Sequence, residues 1–300
     1  MTHQNALSMQ SDHQQVEEQQ QKRVVEAIKR EIQRITNYTP KVGIFGDTGN
    51  GKSSLGNALF GQKVAKVGDI EACTREPQEI FLSAANGEAG IKLLDVPGIG
   101  EDQDRHDEYI ALYKSLLPEL DLVIWTLRAD VRSDLSALHA FQEVIASNKN
   151  APPVVFALTQ VDKIKPHREW NDAENMPGLN QMAMINEKII SVSNKFDIPT
   201  NRIIPISSEE GYNLVSLVDL MVELLPNEKK YSVTREAKEE IVSEQATEQA
   251  AQGIMDRVKE IAGAGWDWVK DEGTELALRA AVVLIPRVAN KIAKFLRGIF

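Results

Sequence analysis

The run Gly46-Asp-Thr-Gly-Asn-Gly-Lys-Ser53 has the spacing of a loop built to hold phosphate. Gly46, Gly49 and Gly51 let the backbone curl until consecutive N–H groups point inward at anionic oxygens. The apolar residues ahead of it, KVGIF, read as a buried strand, and Lys52–Phe60 reads as a helix closed by Gly61. The positive N-terminus of that helix adds to the attraction. Lys52 is then placed to bridge the last two phosphates of a nucleoside triphosphate, and Ser53 to bind Mg²⁺. Asp47, Thr48, Asn50 and Ser54 complete the cradle. The competing reading is a plain glycine-rich turn, and both flanks argue against it.

A metal held by one hydroxyl needs a carboxylate opposite. LLDVPG supplies Asp95 at the end of an apolar strand, with the Gly98 N–H three residues on to sense the γ-phosphate. Between loop and strand lies IEACTREP, where Thr74 is the candidate to reach the metal and close over the γ-phosphate. An ordinary loop threonine is the alternative there. Lys52, Thr74 and Gly98 are therefore the groups expected against the reacting phosphate, and Ser53, Thr74 and Asp95 those expected around the metal.

Two segments choose the base. Thr159-Gln160-Val-Asp162-Lys163 follows the apolar run PVVFAL. Guanine presents two adjacent donors, N1–H and the exocyclic amine, and a carboxylate is a matched pair of acceptors. Adenine offers no such pair and would leave Asp162 desolvated. Charged hydrogen bonds of this kind contribute about 1.5–3 kcal/mol each. Ile206-Ser207-Ser208-Glu-Glu-Gly211 follows the last strand, where a backbone N–H near Ser207 or Ser208 could meet guanine O6 while a serine hydroxyl orients Asp162.

The elements that must position these groups alternate. Strands are expected at 41–46, 77–83, 90–95, 121–127, 153–159 and 202–207. Helices are expected at 52–60, 134–147, 180–196 and 214–225. Such alternation gives an α/β fold, a mostly parallel sheet with helices on both faces, and Asn86-Gly87 joins one antiparallel edge hairpin. Ligands in such sheets sit at the carboxyl ends of the strands, where every segment named above falls. Residues 1–37 form a Gln-rich stretch, disordered at first, then a helix whose stripe Val24, Ile28, Ile32 and Ile35 docks on the main domain. Residues 38–228 form the main domain, and 229–300 a helical C-terminal region.

Composition sets the bounds. A net charge of −10 argues against a surface that is all electrostatic footprint for nucleic acid, and the single cysteine, Cys73, excludes an intrachain disulfide or a cysteine-based metal cluster. No window reaches the ~20 apolar residues of a membrane span, so a cytoplasmic protein is expected. Residues 276–300 carry Arg279, Arg287, Lys291, Lys294 and Arg297 with no acid, beside a stripe of Leu284, Val288, Ile292, Phe295 and Ile299. That pattern suits peripheral contact with an anionic inner-membrane surface, to which Trp266 and Trp268 would contribute, or packing on the main domain or the N-terminal helix. Pro286 kinks or divides it.

GDTGNGKS, Thr74, DVPG, TQVD and SSEEG stand in the order of the G1 to G5 motifs, and residues 38–226 resemble an Era-like TRAFAC-class P-loop GTPase. The run LLDVPGIGED…YKSLLPELDLVIWTLRADVR…TQVDK is similar to the YfjP-type branch. The resemblance implies a six-stranded G domain with GTP and GDP as ligands and Mg²⁺ as cofactor. It also implies switch segments around Thr74 and Gly98–Asp107, hydrolysis of GTP to GDP, a protein effector and the option of a G-domain dimer. A ribosomal or RNA partner would follow from family analogy alone. Three departures carry consequences. Gln160 stands where the family has lysine, which weakens stacking over the base. Ile99 stands where a glutamine would align water, so intrinsic turnover should be low. Asparagine comes fifth in the loop, as Asn50, not fourth, which argues against potassium activation. A GTP-loaded scaffold with negligible turnover is the alternative, and a P-loop ATPase or kinase the third.

Overall fold

Apolar runs without alternation form the middle of the sheet, because parallel strands covered by helices are buried on both faces. In the computed structural model, which describes residues 3–61, 78–83, 90–95 and 106–263, these are β1 (Lys41–Phe45), β4 (Leu122–Arg128) and β5 (Val154–Thr159). Around them stand β2 (Gln78–Ser83), β3 (Gly90–Asp95) and β6 (Ile203–Pro205). The order is β2-β3-β1-β4-β5-β6 in one six-stranded sheet, with β2 antiparallel to β3 and the other pairs parallel. The Asn86-Gly87 turn lies outside the described residues, as do Cys73, Thr74, Gly98, Ile99, Trp266, Trp268 and the whole of 276–300.

The helices are α1 (His3–Thr36), α2 (Lys52–Phe60), α3 (His106–Leu116), α4 (Leu135–Phe141), α5 (Leu179–Phe196), α6 (Leu214–Leu224), α7 (Asn227–Glu236) and α8 (Glu244–Ala262). The sequence reading placed no helix at α3. The helix expected over 134–147 is present as α4 continued by a π turn at Gln142–Ala146.

The chain divides into two compact units, one of Thr39–Leu225 with Val233–Ala246, the other of Met1–Tyr38, Pro226–Ser232 and Thr247–Phe300. In the first, the two faces of the sheet carry separate cores. One packs Phe45, Trp125 and Phe156 against Tyr113 of α3, Phe141 of α4 and Phe196 of α5. Phe45 stacks on Tyr113 at 4.3 Å between ring centroids, and Phe141 meets Trp125 edge-on at 5.3 Å. The other packs Val42, Ile44, Ile124 and Val155 against Leu55 and Leu59 of α2, Leu217 and Met221 of α6, and Val233 and Ala237.

The N-terminal stripe, expected to dock on the main domain, is buried inside the second unit instead. Ile28, Ile32 and Ile35 bury against Tyr231 and against Ala250, Ile254, Met255 and Val258 of α8. The helix also begins at His3, inside the stretch expected to be disordered, as the helix propensity of its Gln, Glu and Ala residues allows. Glu31 is held by Arg34 at 2.8 Å and by Arg257 of α8 at 3.1 Å. Its carboxyl lies below the usual range because of the Arg34 hydrogen bonds, against which burial works, and the Arg257 guanidinium lowers it further. Gly253 lets the start of α7 sit on α8: a Cβ there would lie 2.5 Å from the Asn227 carbonyl oxygen. No helix among the described residues is long and apolar enough to cross a membrane.

Candidate functional site

The phosphate loop connects β1 to α2 at the carboxyl end of the sheet. Gly46 (φ 139°) must be glycine twice over, because a Cβ there would also stand 2.3 Å from the Thr126 hydroxyl. Gly51 opens α2 in the left-handed region, at φ 78°. The loop is fixed from behind by buried polar contacts. The Asn50 side chain donates to the Thr126 carbonyl at 2.9 Å, and the Thr126 hydroxyl donates to the Phe45 carbonyl at 2.9 Å. Asn50 thus turns its amide group into the sheet, and its backbone N–H donates to the Asp47 carbonyl at 3.2 Å. Thr48 and Gly49 are exposed, Ser53 is half-buried, and Ser54 is exposed on the first turn of α2.

Lys52 is buried and folds back along the loop. Its ammonium donates to the carbonyls of Gly46 at 3.0 Å and Asp47 at 3.2 Å. Asp47 contributes a carboxyl group whose Oδ1 is buried and accepts no hydrogen bond.

The segment expected to choose the base bonds the same loop from β5. The Thr159 hydroxyl lies 2.9 Å from the Asn50 carbonyl oxygen and 3.2 Å from that of Leu127. Gln160, left-handed at φ 57°, donates its side-chain amide to the Gly49 carbonyl at 3.0 Å. The residue in the lysine position therefore reaches the phosphate loop directly. A short 3-10 turn, Val161–Lys163, then presents Asp162, whose Oδ1 is buried with no donor bonded to it. Lys163 is exposed and pairs with Glu209 at 3.4 Å.

One residue that the sequence reading missed supports this turn. Gln181 of α5 is fully buried, donates to the Ile164 carbonyl at 3.0 Å and accepts from the Gly178 N–H at 3.2 Å. The signal was available, since Gln181 falls one turn before Ile185 on the buried face of α5. Ser207 lies on the neighbouring turn after β6. Its hydroxyl accepts from the Glu210 N–H at 3.2 Å, which leaves the O–H proton for another acceptor, and its own N–H donates to the Tyr212 carbonyl at 3.3 Å. Ser208 next to it is half-buried.

Asp95 ends β3 opposite Ile44, so its backbone stands beside the strand that feeds the loop. At the end of β4, Arg128 closes on Asp130 with bonds of 2.9 and 2.7 Å, which holds the Asp130 carboxyl below its usual range. Asp134, with a side chain only 1% exposed, is gripped by Lys188 at 2.9 Å and Lys195 at 3.0 Å from α5. Among the described residues no group of three or more His, Cys, Asp or Glu side chains is arranged for a metal. A glycine loop, a buried lysine and a buried carboxylate oxygen at one end of a parallel sheet suit a phosphorylated base carrying two adjacent donors.

Residues 41–160 match the family of 50S ribosome-binding GTPases. The chain is 36% identical over 205 residues to YfjP of Escherichia coli K12, covering 68% of this chain and 69% of YfjP. It is 37% identical over 205 residues to YkfA of the same strain, with coverage of 68% and 69%. It is 24% identical over 255 residues to the GTPase Era of Staphylococcus haemolyticus, with coverage of 83% and 78%. The chain belongs to the Era-like P-loop GTPases, in the branch that contains YfjP and YkfA. As a member of that family it is a GTP-binding hydrolase.

Proposed function

We propose that this chain is a Mg²⁺-dependent guanine-nucleotide switch that selects its base through Asp162. The observation that carries the reading is the buried Asp162 Oδ1 without a donor, on a turn braced by Gln181 and joined to the phosphate loop through Thr159 and Gln160. An acceptor held that way is costly unless a ligand supplies the donors. Guanine N1–H and its amine do so. The Ser207 N–H is engaged with Tyr212, so the donor for O6 in this reading is the N–H of Ser208.

At the other end of the ligand, the loop N–H groups and Lys52 take the β- and γ-phosphates. For that, Lys52 exchanges its two carbonyl acceptors for phosphate oxygens, a small movement of an ammonium already buried in the loop. Mg²⁺ is a hard cation that prefers oxygen ligands and keeps several waters, which suits a single Ser53 hydroxyl and the Asp95 carboxylate beside phosphate. The metal would neutralise charge developing on the phosphates. Thr74 and the Gly98 N–H complete the γ-phosphate contacts and release them after hydrolysis, which makes the state of the nucleotide legible to a partner. Phosphate release with GTP, absent in Lys52→Ala and without Mg²⁺, is the expected result. Release that survives either change contradicts these assignments.

A second reading, a GTP-loaded scaffold with negligible turnover, rests on Ile99, whose side chain cannot hydrogen-bond water. Phosphate release measured at increasing protein concentration separates the two. A rising specific rate points to dimer-assisted hydrolysis, and none at any concentration favours the scaffold.

A further inference from the structure

The carboxyl group of Asp47 has no part in the reading above, although it stands second in the phosphate loop. Its Oδ1 is buried and unbonded. Two donors of the loop bond its backbone instead: the Lys52 ammonium and the Asn50 N–H both meet the Asp47 carbonyl, each at 3.2 Å. Among the described residues, the charges that act on it are Lys52 from α2, which attracts, and Asp134 at the head of α4, which repels. Behind Asp134 stand Lys188 and Lys195 of α5, both bonded to Asp134 itself. Arg128 at the end of β4 is closed on Asp130. Burial outweighs Lys52 and is joined by Asp134, pushing the Asp47 carboxyl up to about 6.

We propose that Asp47 takes up a proton when the phosphate loop takes up nucleotide, so that this chain binds guanine nucleotides more tightly as pH falls. The inference rests on the guanine-nucleotide reading. A nucleoside diphosphate, still net negative with one Mg²⁺ bound, brings negative charge into the loop and engages Lys52, the cation that favours the ionised carboxylate. Both changes favour the neutral acid, so its pKa is higher in the complex than in the free chain. The sign follows from linkage. Below the free value both forms are protonated and affinity is flat. Between the free and bound values affinity falls as pH rises, by about tenfold for each unit that separates them, and above the bound value it is flat again.

The test is calorimetric titration of the full chain with Mg²⁺-GDP at pH 7 in PIPES, HEPES and Tris, which differ in ionisation enthalpy, alongside Asp47→Asn. The titration of GDP itself cancels between the two proteins. The wild type should take up several tenths of a proton more per site. Its Kd should rise about five- to tenfold more between pH 6 and pH 8. Equal proton counts and equal pH slopes overturn the inference while leaving GDP binding in place. Binding by neither protein at any pH overturns the guanine-nucleotide reading and this inference with it. Should Asp47→Asn not fold, the carboxyl carbon-13 resonance of Asp47 in the unaltered chain decides. A titration midpoint raised by GDP supports the inference, and an unmoved or lowered one overturns it.

Discussion

The nucleotide end of the sheet and the α1–α8 helical unit are held by opposite means. Around the phosphate loop, polar side chains from distant parts of the chain bond the backbone, three of them buried (Asn50 to Thr126, Thr126 to Phe45, Thr159 to Asn50) and Gln160 to Gly49 nearer the surface. In the helical unit a stripe of isoleucines meets alanine, isoleucine and valine, with Glu31, Arg34 and Arg257 closing the margin. Apolar packing is tolerant of detail, whereas a buried hydrogen bond must be made in one geometry or lost at a cost. The loop has the construction of something that must be in one place before its ligand arrives.

That contrast can be pressed on, beginning with the largest effect. Lys52→Ala removes two charge-assisted contacts to phosphate and should lower GTP and GDP affinity by about a hundredfold or more, as read by equilibrium titration, with little change in the unfolding midpoint. Thr159→Val keeps the shape and removes the hydroxyl that meets the Asn50 carbonyl. It should weaken GDP binding by roughly five- to a hundredfold and lower stability by about 1–3 kcal/mol in urea unfolding. Gly253→Ala drives a methyl group at the Asn227 carbonyl and should cost about 1–3 kcal/mol of stability, with amide-exchange protection lost in α7 and α8. GDP affinity of the folded chain should not change. If it does, the two modes of construction are not independent.

Gln160→Glu is gentler and more pointed. It preserves shape but turns a donor into a charged acceptor facing the Gly49 carbonyl. A loss of about tenfold in GDP affinity is expected, with Gln160→Lys, which keeps a donor, restoring it. An effect equal in both variants would assign Gln160 to the base alone. Least is expected of Arg257→Ala. Its guanidinium is partly exposed, and removing its bonds to Glu31 should cost under about 1 kcal/mol, shrinking further in high salt.

The sequence made the sheet legible because KVGIF, LVIWTL and VVFALT are apolar without alternation, which is what burial on both faces demands. The site was legible for a related reason: glycines, lysine and carboxylates at strand ends have few structural uses. What could not be read is the direction of polar side chains. Asn50 looks like any other residue of the cradle, yet its amide faces Thr126. Ser207 looks like a residue of the base pocket alone, yet its backbone N–H is held by the Tyr212 carbonyl. The N-terminal stripe marks a buried face, but its expected docking on the main domain does not hold, because periodicity carries no address. Its complement on α8 is diluted by alanines and charges, which hid it. The helix at α3 is hard to read because Tyr109–Tyr113 is a short continuous apolar run, which periodicity cannot separate from a strand.

The account turns on the orphaned carboxylate oxygen of Asp162, and one competition experiment reaches it directly. GDP, ADP and xanthosine diphosphate compete for the wild-type chain and for Asp162→Asn, with Mg²⁺ present. The wild type should prefer GDP to ADP by at least about a hundredfold, as the loss of two charged hydrogen bonds requires. Asp162→Asn should exchange that preference for xanthosine diphosphate. Equal affinity of the wild type for GDP and ADP, or an unchanged ranking in Asp162→Asn, would contradict it.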